Sequence, residues 1–382
     1  MTVQVPFNRL ELEGAELDYM AAAIRGGRTT SSGPFSLKVE ALLQEETGAQ
    51  EVLLTKSCTA ALELAAMMLD LKPGDTVVVP SFTFVSTALA FAREGARILF
   101  CDVEERTLGL DPAHLRSLLD DTVRAVVPVH YAGVACEIEG IRAALADWPA
   151  VSLIEDNAQG LFGRWRGQPL GTFGRFAALS FHETKNITCG EGGALVVHES
   201  RDIDRARVLF DKGTNRRAYF LGQADKYTWR DNGSSFGLSD ILAAHLYAQF
   251  EQRASIQGRR REVFERYERL LRPQADEFGY RLPVVPDGAE HTSHLFYVLL
   301  PDRSTRDRVL KSMRADGVHA ASHYVPLHSS EGGRRFEARP TECPVAEDVS
   351  GRLLRLPLYN SLAPADSDRV VDSFLAAVSS IM

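Results

Sequence analysis

Short apolar runs rich in Val, Ile and Leu punctuate the first half of the chain. They are "VLLT" (52–55), "TVVVPS" (76–81), "RILFCDV" (97–103), "RAVVPVHYAG" (124–133), "VSLIEDNA" (151–158), "AALSFH" (177–182) and "GALVVH" (193–198). Several are apolar throughout rather than alternating, which predicts strands covered on both faces. Between them lie stretches such as 60–70 and 137–147, where apolar residues return at helical spacing. That alternation predicts an α/β domain with a mainly parallel, seven-stranded sheet. The last two runs are separated only by a short polar loop around Lys185, so the winding departs from simple βαβ there.

Beyond about residue 200 the pattern changes. A long helical stretch spans 239–271, followed by a strand-like "HLFYVLL" (294–300) and helices near 305–316 and 365–379. This predicts a smaller α+β C-terminal domain, with the division placed at 1–245 and 246–382. The Gly- and Arg-rich "SSEGGRRFEARP" (329–340) reads as a mobile loop.

Length and composition fit this picture. A chain of 382 residues suits a large domain plus a smaller one, and 45% hydrophobic residues supply a sizeable core. The net charge of −8 excludes a non-specific nucleic-acid or anionic-membrane binder. No apolar run reaches membrane-spanning length, and "MTVQVPFNRLELEGAELDYM" lacks a basic-then-apolar leader. The five cysteines (Cys58, Cys101, Cys136, Cys189, Cys343) are odd in number and form no CxxC pair. That predicts no metal centre, no disulfide framework and a reduced, cytoplasmic setting, with Cys58 and Cys189 as buried, inert thiols.

Chemistry concentrates at the ends of the apolar runs. In "TKSCTAALELAAMMLD" (55–70) a strand gives way to a helix that Ser57 or Thr59 would cap, and a helix start of this kind favours a phosphate. "IEDNAQG" (154–160) places Asp156 and Gln159 at the carboxyl end of a strand, where ligands gather in open α/β sheets. "LSFHETKNITCGEGGALVV" (179–197) presents Lys185 between two strands, beside glycines that permit close approach to a ligand. "VPSFTFVST" (79–87) offers two rings, Phe82 and Phe84, one of which could stack on a flat heteroaromatic. A phosphate cradle, a carboxylate, an amine and a stacking ring together describe the needs of pyridoxal 5′-phosphate.

These segments, with "VPVHYAGVACE", "KYTWRDNGSSF", "HYVPLH" and "RLLRLPLYN", resemble the DegT/StrS-type sugar-nucleotide aminotransferases. Within that family of fold-type I pyridoxal-phosphate enzymes, the WecE-like dTDP-4-amino-4,6-dideoxygalactose transaminase branch is the most similar. The resemblance covers essentially the whole chain. It implies that Lys185 carries the cofactor and moves the proton, that Asp156 pairs with the pyridine nitrogen, and that Gln159 lies near the phenolic oxygen. It implies phosphate contacts from Thr59, from the backbone at Cys58 and Ala60, and from Ser180, with Phe84 rather than Phe82 as the stacking ring. Many relatives carry an asparagine that reaches the partner subunit's cofactor phosphate; Ser235 stands at that position here. The implied assembly is a homodimer with shared active sites. Its dTDP-sugar substrate would meet Lys212, Asn215 and Arg216 of "KGTNR", Lys226, Tyr227 and Trp229 of "KYTWR", and His323 and Tyr324 of "HYVPLH". The implied reaction moves an amino group from L-glutamate to the 4-keto group of a dTDP-4-keto-6-deoxyhexose, the cofactor alternating with pyridoxamine phosphate. Two rivals share the scaffold. A sugar dehydrase would carry histidine at position 185, and a non-catalytic regulator would show damage to the lysine, aspartate or phosphate contacts.

Overall fold

The apolar runs do form strands. In the computed structural model, which describes residues 4–220 and 222–381, they are β1 (Glu51–Thr55), β2 (Thr76–Pro80), β3 (Arg97–Cys101), β4 (Val123–Val126) and β5 (Ser152–Asp156). A short pair follows, β6 (Arg164–Trp165) and β7 (Gln168–Pro169), then β8 (Phe176–Ser180) and β9 (Gly193–Val197). Seven of these make the main sheet, in the order β1-β9-β8-β5-β4-β2-β3. Pairings from β3 across to β8 are parallel, whereas β9 runs antiparallel to both β8 and β1. The connection explains this: the loop between β8 and β9, residues 181–192, holds no helix to carry a crossover, and the pair closes as a hairpin.

Both faces of the sheet are covered, which is why its strands lack polar alternation. In β1, Leu53 packs in the layer that holds Ala61, Leu64 and Ala65 of the helix Cys58–Met67. Its neighbours Val52 and Leu54 pack on the other face with Val39 and Leu43 of the helix Pro34–Thr47 and with Leu246 and Phe250. The C-terminal part pairs β11 (Phe296–Leu299) with β12 (Leu353–Leu356), antiparallel, while the short β10 (Ala289–Glu290) joins β6. The helices Arg253–Leu271, Arg303–Ala315 and Pro364–Ile381 pack around a second core that includes Phe264, Met313 and Phe374.

Three features differ from the sequence-based expectation. The stretch 239–271 is two helices, Asp240–Glu251 and Arg253–Leu271, broken at Gln252 (φ −95°, ψ 7°). Residue 245 falls inside the first of them, whose Ala243, Leu246 and Phe250 belong to the core of the large sheet. The segment 329–340 holds a helix, Glu331–Phe336, capped by Ser330 Oγ accepting from the Gly333 N–H at 3.0 Å. Its continuation is tied to the sheet edge by the Ala338 N–H donating to the Ile98 carbonyl. Finally, Val5 is fully buried in the C-terminal core and exchanges backbone hydrogen bonds with Gly317 and His319.

Two polar joints seat the C-terminal part on the carboxyl edge of the sheet. Asp102, just past β3, caps the helix Pro344–Arg352 by accepting from the Val345 and Ala346 N–H groups at 2.9 and 2.8 Å. Ser81, just past β2, meets His328 Nδ1 at 2.6 Å, and His328 Nε2 reaches Glu347 at 3.1 Å. Among the described residues no helix is long and apolar enough to cross a membrane.

Candidate active site

The carboxyl ends of β1, β5 and β8 open on one cavity of about 480 Å³, closed on the far side by residues of the C-terminal part. Ser57, Cys58 and Thr59 follow β1, Asp156 and Gln159 end and follow β5, and Ser180 and Lys185 end and follow β8. His323, Tyr324 and Arg355 complete the wall. Convergence of this kind is what a parallel sheet provides at its carboxyl edge.

Ser57 is extended (φ −166°, ψ 164°) and caps the helix Cys58–Met67, its Oγ accepting from the Ala60 N–H at 3.1 Å. The Ala60 N–H is therefore committed to the cap. The N–H groups of Cys58 and Thr59, in the first turn, have no intrahelical acceptor and favour an anion. Thr59 Oγ1 lies 2.7 Å from Ser86 Oγ, which adds a second hydroxyl to the cradle. Gly193, the first residue of β9, lies against this turn: a Cβ there would collide with Cys58 N and the Ser57 carbonyl. Only a residue without a side chain lets β9 pass so close to the helix start.

Asp156 is buried, 5% exposed, and its carboxylate is held at both oxygens. Thr87 Oγ1 donates to Oδ2 at 2.7 Å, and the Ala158 N–H donates to Oδ1 at 3.2 Å. Thr83 Oγ1 backs Thr87 Oγ1 at 2.8 Å. Burial pushes the carboxyl pKa up, while the Thr87 bond, the Ala158 N–H and the Lys185 charge pull it back. The group is thus kept poised for a cationic or N–H partner.

Lys185 stands in a loop with its own scaffold. The Phe181 N–H donates to the Gly192 carbonyl, the Lys185 N–H to the His182 carbonyl, and Thr188 Oγ1 to the Phe181 carbonyl. The next residue, Asn186, is pinned through Nδ2 to the Thr292 carbonyl and Gln257 Oε1, both at 2.8 Å, and through Oδ1 to His294 Nδ1 at 3.0 Å. Burial lowers the Lys185 pKa, against the pull of Cys58 and Asp156. A desolvated amine of this kind is a better base and nucleophile than a surface lysine.

Gln159 is oriented by the Ala132 N–H, which donates to Oε1 at 2.8 Å. Tyr324 and His323 stack at 3.4 Å between ring centroids, and His323 Nδ1 meets Tyr131 OH at 3.0 Å. Burial drives the His323 pKa down to about 2, so its ring is neutral. Of the two candidate stacking rings, Phe84 lines the cavity and is 57% exposed, while Phe82 is 1% exposed among Tyr131 and Tyr324.

A model of the DegT/DnrJ/EryC1/StrS aminotransferase family matches residues 11–375. The chain belongs to that family. The fold is similar to the aminotransferase TlmJ from Streptoalloteichus hindustanus, with 29% identity, a TM-score of 0.89 and 100% of each chain covered. It is also similar to S. venezuelae DesV, solved in complex with a ketimine intermediate, with 29% identity, a TM-score of 0.88 and coverage of 98% and 99%. Spr1654 from Streptococcus pneumoniae in its PMP form shows the same fold, with 22% identity, a TM-score of 0.91 and coverage of 99% and 100%.

Pyridoxal 5′-phosphate is the cofactor of this DegT/StrS-type aminotransferase, and the donor set fits it. Hydroxyls and free N–H groups gather at the Cys58–Thr59 turn, a buried carboxylate waits at Asp156, and a desolvated amine sits at Lys185.

Residues 212–235 lie outside this cavity. Lys212 pairs with Asp211 at 2.8 Å. Asn215 is buried and ties its own segment together, donating to the Lys226 carbonyl and accepting from the Thr228 N–H. Arg216, Lys226 and Tyr227 line a separate open cavity of about 530 Å³. Trp229 is 82% exposed, with its Nε1–H on the Asp231 carbonyl, and Ser235 is exposed opposite Asp211. Sequence reasoning missed Ser86, Thr87, His294 and Arg355. The first two were within reach, since both hydroxyls stand in the "FVSTALAF" segment beside the stacking rings.

Proposed function

We propose that this aminotransferase transfers an amino group from L-glutamate to the 4-keto group of a dTDP-4-keto-6-deoxyhexose. The product is a dTDP-4-amino-4,6-dideoxyhexose of the kind made by the WecE-like branch. The observation that carries the reading is the convergence of Lys185, Asp156 and the Cys58–Thr59 turn on one cavity. When bound, pyridoxal phosphate supplies an electron sink for proton transfer at carbon.

The chain's own residues do the rest. Thr59, Ser86, Ser180 and the first-turn N–H groups would hold the phosphate, and the Asp156 carboxylate would accept from the protonated ring nitrogen. Gln159 is placed for the phenolic oxygen, and Phe84 for the ring face. Lys185, lowered in pKa by burial, takes the proton from the donor's α-carbon and later delivers one to sugar C4. The two half-reactions follow a ping-pong order, with 2-oxoglutarate leaving before the sugar is aminated. The working unit in this proposal is a cytoplasmic homodimer. Ser235 and the 212–229 segment of one protomer serve the sugar nucleotide and cofactor phosphate at its partner's cavity. Lysine at position 185 speaks against the dehydrase, and an intact lysine, aspartate and cradle speak against a regulator.

The test is incubation of the holoprotein with L-glutamate and dTDP-4-keto-6-deoxyglucose, with the product read by mass and NMR. A 4-amino sugar nucleotide is expected; unchanged ketosugar beside amination of other ketosugars would refute the substrate. Lys185→Ala is expected to abolish both turnover and the visible band of the lysine-linked cofactor.

A further inference from the structure

Residues 292–294 lead from the large sheet into β11, and neighbours on both sides pin their backbone. The Thr292 N–H donates to the Gly133 carbonyl at 3.1 Å, and Thr292 Oγ1 donates to the Gln159 carbonyl at 2.8 Å. Arg260, almost fully buried, donates to the carbonyls of Ser293 and His294. His294 is 9% exposed and lines the cofactor cavity. Its tautomer follows from what surrounds it. The Thr292 carbonyl lies 2.8 Å from the Asn186 amide and can only accept, so the atom meeting it is Nδ2. Asn186 Oδ1 then faces His294 Nδ1 at 3.0 Å, and Nδ1 carries the ring proton. Burial holds the ring neutral, well below its ordinary pKa, and the Lys185 and Arg260 charges act in the same direction. Nε2 is left as an acceptor with no partner among the described residues.

A second cavity, of about 20 Å³, is lined by Gln159, Ser180, Lys185 and His294, which also line the large one, and by Leu161 and Ile187. Its size suits a single water, which needs about 10–15 Å³ and about two to four polar partners. Lys185 Nζ makes no hydrogen bond to a described residue, so an amine donor and a ring acceptor border the same small space without partners. We infer that His294 is the positioning residue for Lys185, its Nε2 accepting from the lysine amine through one water held in the small cavity. This role rests on the aminotransferase reading above and adds to it a water site and a tautomer-dependent hold on the base. Lysine reaches the cavity on a flexible four-carbon stem, and proton transfer at carbon needs the amine aimed at the reacting atom. A hydrogen bond from one N–H fixes that direction. A neutral acceptor does so at little cost to basicity, whereas a further carboxylate would hold the amine protonated and unable to take a proton.

The tautomer is read first, on the wild-type protein, by nitrogen NMR of isotope-labelled histidine. A ring protonated at Nδ1 alone is expected near neutral pH; protonation at Nε2 overturns the assignment, and this measurement stands whether or not a variant folds. His294→Asn keeps a donor at the place of Nδ1 and removes Nε2, while His294→Gln restores an acceptor near the place of Nε2. The pH dependence of cofactor capture by the cofactor-free protein follows the fraction of Lys185 carrying a free amine. Its midpoint is expected to fall by about one pH unit in His294→Asn, because losing an acceptor from the ammonium favours the neutral amine. His294→Gln should return most of that shift. In the loaded enzyme, kcat is expected to fall about 10-fold in His294→Asn with KM values within about twofold of the wild type. An unchanged capture midpoint in His294→Asn overturns the assignment. So do equal losses in both variants, the mark of a clamp that merely holds 292–294, and a raised KM with unchanged kcat, the mark of a substrate contact. Each of these leaves the aminotransferase standing. A wild-type holoprotein that reacts with no amino acid overturns the aminotransferase reading instead, while the tautomer and the capture midpoint still judge His294.

Discussion

Thr87→Val isolates the hydrogen bond that restrains Asp156. The substitution keeps the β-branched shape and removes one hydroxyl that is fully buried, 2.7 Å from Asp156 Oδ2 and 2.8 Å from Thr83 Oγ1. A hydrogen bond to a charged group is worth about 1.5–3 kcal/mol, so its loss shifts Asp156 toward the protonated form by a similar amount. A protonated carboxyl cannot hold the ring nitrogen protonated, and cofactor affinity should fall about 10- to 100-fold at neutral pH. The folded-state pKa of Asp156 already lies above its ordinary value. The cofactor-free chain is therefore favoured at low pH, below the carboxyl's ordinary pKa, and loses that advantage as pH rises through the raised pKa. In Thr87→Val this loss should be larger. The assay is a cofactor titration by fluorescence or absorbance at several pH values, alongside thermal unfolding of the cofactor-free protein. Thr83→Val, which spares the direct bond, should show less than half the effect. If Thr87→Val binds cofactor like the wild type across the pH range, the hydroxyl does not control the carboxylate and the argument fails.

Other substitutions test neighbouring claims. Phe84→Ala should weaken cofactor binding while leaving the melting temperature nearly unchanged, because the ring is more than half exposed. Phe82→Ala should instead cost about 3–5 kcal/mol of stability, measured by denaturant unfolding, because it empties a core position. Gly193→Ala should cost about 1–3 kcal/mol through overpacking against the Cys58 turn, visible as a lower melting temperature together with weaker phosphate retention. His291 is lowered to about 4 by burial, and its Nδ1 accepts from the Ser293 N–H, so the folded state holds it neutral. The unfolded chain protonates it near 6.5, so stability should be full above that pH and fall as pH drops from 6.5 to about 4. The span corresponds to about 3 kcal/mol, and His291→Phe should flatten that part of the stability curve.

Much of this architecture was legible because each signal was local. Val52, Leu53 and Leu54 announce a strand covered on both sides, Ser57 announces a helix start, and the Lys185 loop announces a departure from βαβ winding, which the fold shows to be a hairpin. The hidden parts depend on distant partners. Thr87 finds Asp156 across 69 positions, so although its hydroxyl stands beside Ser86 in a segment the sequence marks, its partner shows only in the fold. Arg355 reads as one more polar residue in a strand until the fold brings β12 over the cavity. The break at Gln252 left no mark either, because "YAQFEQRASI" contains neither glycine nor proline and tertiary packing alone divides the two helices. Composition misled at 329–340, where glycines suggested a loop and Ser330 instead capped a helix.

The order of the sheet bears on how the enzyme is made. β1 is synthesised first among the strands, yet its sheet neighbour is β9, with Glu51 opposite Val197. Until the ribosome has extruded that hairpin, the strand that leads into the helix Cys58–Met67 has an open edge and no partner. Pairing at such separation is slow and leaves nascent chains prone to aggregation. Arg355 and the rest of β12 emerge later still. Stop codons or stalls before residue 193 should therefore yield chains that neither fold nor retain cofactor, and cofactor capture becomes a late checkpoint on a completed polypeptide.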